Sequence, residues 1–171
     1  MQPFFIFVNS MHVLFYSFNR IMAKPDISAK LRMNIASAVI RTHTAYRLRL
    51  LNVFMQAGLD ITPDMYFILR YLWGEQDGSR QQELADKTGK DKASLTKLLD
   101  NLEKRSLVKR TADERDGRSK RIWLTANGKK LKEKVYPLAL SVVEMAERGL
   151  SKNDLQQAQG VLDCIYNNIK R

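Results

Sequence analysis

The sequence predicts a mainly α-helical fold with one small antiparallel β-hairpin. Apolar residues recur at three- and four-residue spacing along most of the 171 residues, which is the period of a helix packed against a core. Between Val108 and Leu124 this period gives way to the alternation typical of strands. The length allows one ordinary domain with a sizeable core.

Two helices are predicted in the first half of the chain. Residues 28–57 carry a helical stripe of apolar side chains that ends at Gly58. Thr62 is expected to cap the next helix, with Pro63 at its first position, where the missing N–H costs nothing. The side chains of this second helix that are expected to face the core are Met65, Ile68, Leu69 and Leu72.

A third, short helix is predicted to begin at Ser79. Gln82, three residues on, would complete a capping box with this serine. The helix is expected to stop near Thr88-Gly89, because glycine tolerates the left-handed conformation that closes a helix. Asp91 is then the natural N-cap of a fourth helix.

The fourth helix has one apolar face and one short-chained polar face. Two helices joined by a turn with a glycine form a helix-turn-helix, in which the N-terminal residues of the second helix meet base edges in the DNA major groove. The predicted base-reading residues are Ser94, Thr96 and Lys97. Phosphate contacts are predicted for Lys92, Lys104, Lys109 and Arg110.

A β-hairpin with a long basic tip follows this helix. Its loop carries Arg115, Arg118 and Lys120. Arginine on a protruding loop suits a narrow minor groove, where negative potential is concentrated, and Arg118 is predicted to enter it. Asp113 and Asp116 are predicted to brace the arginines, for instance by a charge-assisted hydrogen bond from Arg118 to Asp116.

Positive charge is concentrated in the same region. The chain has a net charge of +11, and residues 80–134 contain 17 Lys or Arg against 9 Asp or Glu. Residues 135–171 contain 4 of each sign. An excess confined in this way is the electrostatic footprint of a nucleic-acid binder, whereas a generally basic surface would spread over the whole chain.

Two more helices are predicted after Thr125, which caps the first of them. Pro137 lies inside this helix and predicts a kink about one turn upstream. Ser151 and Asp154 form a capping box that begins the last helix. The apolar stripes of both helices fit either an intrachain core or a second copy of the chain. The dimer is favoured, because helix-turn-helix proteins commonly read two half-sites one helical turn apart.

Residues 1–21 are unlike the rest of the chain and are interpreted as a doubtful leader. Polar residues interrupt every apolar run well before the roughly 20 residues needed to span a bilayer. A signal peptide would have a positive n-region and a small-residue cleavage site, and neither is present. Translation is expected to begin at Met22, with the leader either mis-assigned or disordered; a membrane-associated tail is the alternative.

Catalytic chemistry has little support in the sequence. No metal-ligand cluster, phosphate-cradling glycine loop or nucleophilic triad can be assembled from the residue spacing, so neither an enzyme nor a metal or other cofactor is expected. Cys164 is the single cysteine, which excludes an intrachain disulfide and fits a reducing cytoplasm. We expect it to be a small buried hydrophobe.

Several motifs resemble those of MarR-type winged helix-turn-helix transcriptional regulators. D-E-R-D-G-R at 113–118 and L-T-A-N-G at 124–128 are similar to the wing of this family and to the helix start that follows it. Residues 94–105, S-L-T-K-L-L-D-N-L-E-K-R, are similar to its recognition helix. Residues 58–69, G-L-D-I-T-P-D-M-Y-F-I-L, resemble its second helix.

The resemblance covers about residues 31–171 and implies a homodimer joined through its N- and C-terminal helices. It also implies a pocket for a small aromatic or anionic effector, between the dimer helices and the DNA-binding lobe. Ser106 departs from the glycine frequent in the family and is expected to alter the end of the recognition helix. The candidate pocket residues are His43, Tyr46, Arg47, Tyr66 and Arg70. The alternative for each one taken singly is a core aromatic or a solvated arginine.

The combined prediction is a cytoplasmic, ligand-responsive repressor that binds a pseudo-palindromic double-stranded DNA operator as a homodimer. Its parts are an N-terminal dimerisation helix (22–57), a winged helix-turn-helix domain (58–125) and C-terminal dimerisation helices (126–171). Two alternatives stay open. One is a sequence-independent architectural or RNA-binding protein, and the other is a ligand-binding or enzymatic protein on a winged-helix shell.

Overall fold

The computed structural model describes residues 34–74, 77–114, 116 and 119–170. The chain divides into two compact units, residues 1–44 and residues 45–171. The predictions for the leader, for a start at Met22, and for the tip arginines Arg115 and Arg118 lie outside the described residues. The fold below is therefore that of the second unit, apart from the N-terminal part of the first helix.

The described residues form six helices and three short strands. The helices are α1 (Ile35–Gln56), α2 (Pro63–Gly74), α3 (Gln81–Thr88), α4 (Lys92–Lys104), α5 (Ala126–Ala146) and α6 (Lys152–Ile169). The strands are β1 (Ser79–Arg80), β2 (Val108–Ala112) and β3 (Lys120–Leu124). A mainly helical fold with a small antiparallel sheet is thus confirmed, and each predicted helix is present.

The sheet has one strand more than the sequence predicted. Its order is β1-β3-β2, all antiparallel, and Ser79 pairs with Ile122. The prediction that Ser79 caps α3 is therefore wrong, because its backbone is extended in β1. Helix α3 begins two residues later, and the Arg80 N–H donates to the Glu83 carboxylate at 3.0 Å. The predicted partner, Gln82, instead donates to Asp86 at 3.0 Å.

The other predicted helix starts are confirmed by their hydrogen bonds. Thr62 Oγ1 accepts from the Met65 N–H at 3.3 Å, and Asp91 accepts from the Ser94 N–H at 2.9 Å. The Thr125 hydroxyl likewise accepts from the Gly128 N–H at 3.0 Å. The last helix begins with the predicted reciprocal box of Ser151 and Asp154. Each cap satisfies an amide that the first turn of a helix leaves without a partner.

Helix α4 ends in a turn normally closed by glycine. Ser106 has φ +54°, which makes it the one non-glycine residue with positive φ in the described part of the chain. Its N–H donates to Glu103 O at 2.8 Å, and the Leu107 N–H donates to Leu102 O at 2.9 Å. These two bonds form a Schellman motif. The helix thus ends in the motif that glycine usually forms, so the prediction that serine alters the helix end is wrong. The cost is a serine backbone in the left-handed region, which is strained for a residue with a Cβ.

A single apolar core joins α2 to α5, the sheet and the second half of α1. Its fully buried side chains include Phe54, Ile68, Leu69, Leu84, Leu95, Leu99 and Ile122. Helix α6 takes no part in it, since none of its residues is buried. Its exposed apolar side chains are Val161, Leu162, Tyr166 and Ile169. Cys164 on the same helix is exposed, so the prediction of a buried thiol is wrong for the single chain.

None of the helices within the described ranges combines the length and the apolar character needed to cross a bilayer.

Candidate nucleic-acid interface

The exposed side of α4 carries four of the ten residues predicted to contact DNA. Lys92, Ser94, Lys97 and Lys104 are all exposed on this helix. Leu95, Leu99 and Leu102 on the opposite side are fully buried, which fixes the rotation of the helix about its own axis. The neighbouring strands add exposed Lys109 on β2 and exposed Lys120 on β3.

Two predicted base-reading hydroxyls already make intrachain hydrogen bonds. Ser94 Oγ donates to the Asp91 carboxylate at 2.6 Å. Thr96 Oγ1 donates to Lys92 O at 2.8 Å and accepts from Gln81 Nε2 at 3.0 Å. Each hydroxyl donates its single proton within the chain, so towards a base it can only accept a hydrogen bond. Lys97 is exposed and its ammonium group can only donate, so it is the strongest donor candidate for a base edge.

Arg110 fixes α4 onto the sheet, a role that sequence reasoning missed. Its Nη1 lies 2.7 Å from Asp100 and 2.7 Å from Glu103, and its Nη2 donates to Thr96 O at 3.2 Å. Only 19% of its side chain is exposed. Its charge is therefore balanced within the chain, and the predicted phosphate contact of Arg110 stays a prediction.

Asp113 holds the base of the hairpin. Its carboxylate is completely buried and pairs with Arg80 Nε at 3.0 Å and with Arg121 Nε at 2.7 Å. The hydrogen bond to Asp113 raises the pKa of Arg80. Asp116, the other predicted brace, accepts from Ser119 Oγ at 2.6 Å. Its predicted contact with Arg118 lies outside the described residues.

A second ion-pair cluster connects α1 and α2 to the turn that precedes α4. Asp64 on α2 accepts from Arg47 Nη1 at 2.9 Å and from Lys90 Nζ at 2.6 Å. Lys90 lies in the turn between α3 and α4, so Asp64 links α1 to the helix-turn-helix. The hydrogen bond from Arg47, followed by that from Lys90, holds the pKa of Asp64 well below its usual range.

Comparison with known proteins decides the family. The family model described as "MarR family" matches residues 61–120, which contain α3, α4 and β2. An organic hydroperoxide resistance transcriptional regulator of Bacillus subtilis (strain 168) is 31% identical over 104 residues, covering 61% of this chain and 69% of that protein. The chain belongs to the MarR family.

Two further comparisons support the membership. The transcriptional regulator HosA of Escherichia coli O157:H7 is 34% identical over 85 residues, covering 50% of this MarR-family chain. The match spans 62% of the length of HosA. The S. aureus MepR–DNA complex superposes with a TM-score of 0.73 at 25% identity, covering 80% of this chain and 99% of MepR. The predicted winged helix-turn-helix fold is confirmed.

The predicted effector residues of this MarR-family chain separate into two groups. Tyr66 is buried and packs edge-on against Phe54 at 5.5 Å between ring centroids. Burial raises the pKa of both Tyr46 and Tyr66, and the charge of Arg70 opposes that rise at both rings. Arg70 is therefore close enough to both tyrosine rings for its charge to affect them.

The other two predicted pocket residues are placed differently. Arg47 is committed to Asp64 through both of its terminal nitrogens. His43 is exposed and belongs to the first unit. Across the described residues, no group of three or more His, Cys, Asp or Glu side chains could hold a metal ion.

Proposed function

We propose that this chain is a sequence-specific DNA-binding transcriptional regulator that acts on a pseudo-palindromic operator as a homodimer. The observation that carries the proposal is the exposed basic face of α4 beside a basic three-stranded wing, in a member of the MarR family. HosA and the B. subtilis relative are both named as transcriptional regulators. MepR, similar over 80% of this chain, is solved bound to DNA.

In this proposal α4 enters the major groove. Lys97 donates to a base edge, and the acceptor oxygens of Ser94 and Thr96 take hydrogen bonds from exocyclic amines. Arg118, which lies between β2 and β3 in the sequence, is proposed to enter the adjacent minor groove. The cations assigned to phosphates are Lys92, Lys104, Lys109 and Arg110, although the ion pairs of Arg110 neutralise part of its charge. Arg115 and Lys120 are further proposed DNA contacts.

The homodimer is supported by helix α6. Among the described residues, this 18-residue amphipathic helix buries none of its side chains, so packing within the described part of the chain contributes little to its stability. A second copy of the chain would cover Val161, Leu162, Tyr166 and Ile169. Two copies also place two recognition helices on one face of the duplex, as half-sites one helical turn apart require.

Regulation by a small molecule is the finer part of the proposal. Tyr46, Tyr66 and Arg70 combine aromatic surface with one cation, which suits an aromatic anion. Binding of such an effector would change the affinity of the protein for its operator. Without the effector, the bound protein is proposed to repress transcription. The single cysteine supports a cytoplasmic location, where a chain without an intrachain disulfide is usual.

Competition binding tests the central proposal. The purified protein is mixed with duplex fragments from its own upstream region, with random duplex as competitor, at two salt concentrations. One fragment should survive competition and show a footprint of two half-sites about one helical turn apart. Equal competition by every duplex would contradict the proposal and favour a sequence-independent architectural protein.

A further inference from the structure

The side chain of Thr96 is held by a residue from the neighbouring helix. Gln81, the first residue of α3, donates from Nε2 to Thr96 Oγ1 at 3.0 Å. Thr96 lies in the second turn of α4 and is half-buried, so part of it stays open to a ligand. The Ser94 hydroxyl, in contrast, is bonded to Asp91, which caps its own helix. The contact with Gln81 therefore fixes a predicted base-reading side chain relative to a second helix.

The hydroxyl group of Thr96 has one hydrogen-bonding position left. Its proton goes to Lys92 O at 2.8 Å, because that carbonyl oxygen can only accept. One of its two lone pairs accepts from Gln81 Nε2, so a single lone pair remains for a base. In the major groove this lone pair suits the exocyclic amine of adenine or cytosine. Guanine and thymine present O6, N7 and O4 there, which are all acceptors.

The amide of Gln81 also selects the direction in which the Thr96 hydroxyl points. Threonine in a helix divides between two χ1 rotamers, because its hydroxyl can bond a carbonyl of the preceding turn in either one. Rotation from one to the other moves the hydroxyl and puts a different substituent of Cβ in its place. The bond from Gln81 is made only while Oγ1 lies beside α3, so it favours one of the two rotamers.

Both partners of this contact are anchored by further bonds. Arg80, the residue before Gln81, donates from Nε to the buried carboxylate of Asp113 at 3.0 Å. The backbone carbonyl of Thr96 accepts from Arg110 Nη2 at 3.2 Å. Each end of the contact is thus tied to the sheet as well as to its own helix. A side chain fixed in this way presents its lone pair without first having to be ordered by the DNA.

We propose that Gln81 is a positioning residue for base readout, which makes Thr96 select adenine or cytosine over guanine or thymine at one base pair of each half-site. The inference rests on the proposed base reading by α4. It adds to that proposal a residue of α3 and the chemical class of the base that is read. Gln81 itself contacts no base and acts only through the hydroxyl of Thr96.

Binding of operator variants measures this selectivity. Each base pair of the operator is substituted in both half-sites, and the affinity of each variant is compared with that of the original sequence by competition. Thr96→Val removes the hydroxyl with little change of shape and should lower discrimination at one base pair by roughly 3- to 10-fold, the contribution of about one hydrogen bond. Gln81→Met keeps the length of the side chain without its donor. It should lower discrimination at that same base pair and at no other.

Gln82→Met is the matched control, because it makes the same substitution at the next residue of α3. The Gln82 amide donates to Asp86 on its own helix at 3.0 Å, so this variant should keep the full discrimination. The double variant Gln81→Met/Thr96→Val should discriminate as well as Thr96→Val alone, since both changes remove the same contact. Additive losses would overturn the inference. A uniform loss of affinity for operator and random duplex alike would also overturn it, because that is the effect of a merely structural role.

The rotamer of Thr96 is a second readout and needs no DNA. Three-bond couplings to Thr96 Cγ2, measured by NMR on the isotope-labelled protein, should report one χ1 rotamer in the wild type and in Gln82→Met. They should report a mixture of two rotamers in Gln81→Met. One unchanged rotamer in Gln81→Met would overturn the inference whatever the affinity of that variant for DNA.

The outcomes separate this inference from the proposed function. If one operator survives competition, yet Thr96→Val or Gln81→Met keeps the wild-type discrimination at every base pair, the role of Gln81 is overturned and the regulator stands. Equal competition by every duplex would overturn both.

Discussion

Arg80 and Asp113 are 33 residues apart in the sequence and meet through the Arg80 Nε and a buried carboxylate oxygen at 3.0 Å. The same carboxylate pairs with Arg121 at 2.7 Å, so one anion joins the strand before α3 to both strands of the hairpin. The position of the wing relative to the helix-turn-helix therefore depends on Asp113.

Asp113→Asn should lower the free energy of unfolding by about 1–3 kcal/mol, because a buried ionic acceptor for two arginines becomes neutral. The two arginines are about one-third exposed, which keeps the loss below that of a fully buried pair. Urea denaturation measures the change. Glu114→Gln, the exposed neighbour, is the control and should be neutral. Equal stability of both variants would contradict the bracing role.

Ser106→Gly should stabilise the protein by roughly 0.5–1 kcal/mol. Serine at φ +54° has a Cβ that crowds its own backbone, and glycine does not. The larger freedom of glycine in the unfolded chain offsets part of the gain. Ser106→Ala keeps the Cβ and should not stabilise. Thermal unfolding of the three proteins decides the point, and equal gains for glycine and alanine would show that the backbone is not strained.

Gly128→Ala should destabilise the chain by about 3 kcal/mol or more, because the added Cβ would lie 2.0 Å from Leu107 O. A shift of the backbone to relieve this clash would disturb the hydrogen bond that the Gly128 carbonyl accepts from Trp73 Nε1 at 2.8 Å. Gly74→Ala is the matched control, as its Cβ would meet nothing within 4 Å. A well-folded Gly128→Ala protein of unchanged stability would contradict this packing.

Asp64 should make stability depend on pH in the acid range. Its pKa is lowered in the folded state, so its contribution is complete above the unfolded pKa of about 4 and is lost as the pH falls toward the folded value. Asp64→Asn should therefore be less stable than the wild type at pH 6, and the gap should narrow between about pH 4 and pH 2. Denaturation at several pH values measures the gap, with Glu133→Gln as an exposed control. A gap independent of pH would contradict the assignment.

The features that the sequence predicted well are those set by neighbours in the chain. Asp91 and Thr125 cap helices through amides three residues away, so their roles are readable from spacing. Ser79 has the same local pattern, yet its pairing with Ile122 lies 43 residues away and overrides the cap. The partners of Ser79 could be assigned only once β3 was in place.

In the candidate interface, too, the features set by neighbours in the sequence are predictable and those set by distant residues are not. The basic face of α4 was predictable from helical period alone. The ion pairs of Arg110 could not be predicted, because Asp100 and Glu103 lie on α4 and become its neighbours only when β2 packs beside that helix. The sequence predicts a buried Cys164, whereas none of the residues of its helix is buried among the described residues.

The most direct test of the central claim is the ratio of operator affinity to random-duplex affinity for the wild type, Lys97→Ala and Lys104→Ala. We expect Lys97→Ala to lower this ratio by a factor equivalent to about 1–3 kcal/mol of discrimination, because it removes a contact to one base pair. Lys104→Ala should weaken binding to both duplexes alike and reduce the salt slope by about 1. A ratio unchanged in Lys97→Ala would contradict base reading by α4 at this position, and a wild-type ratio near 1 would contradict the regulator itself.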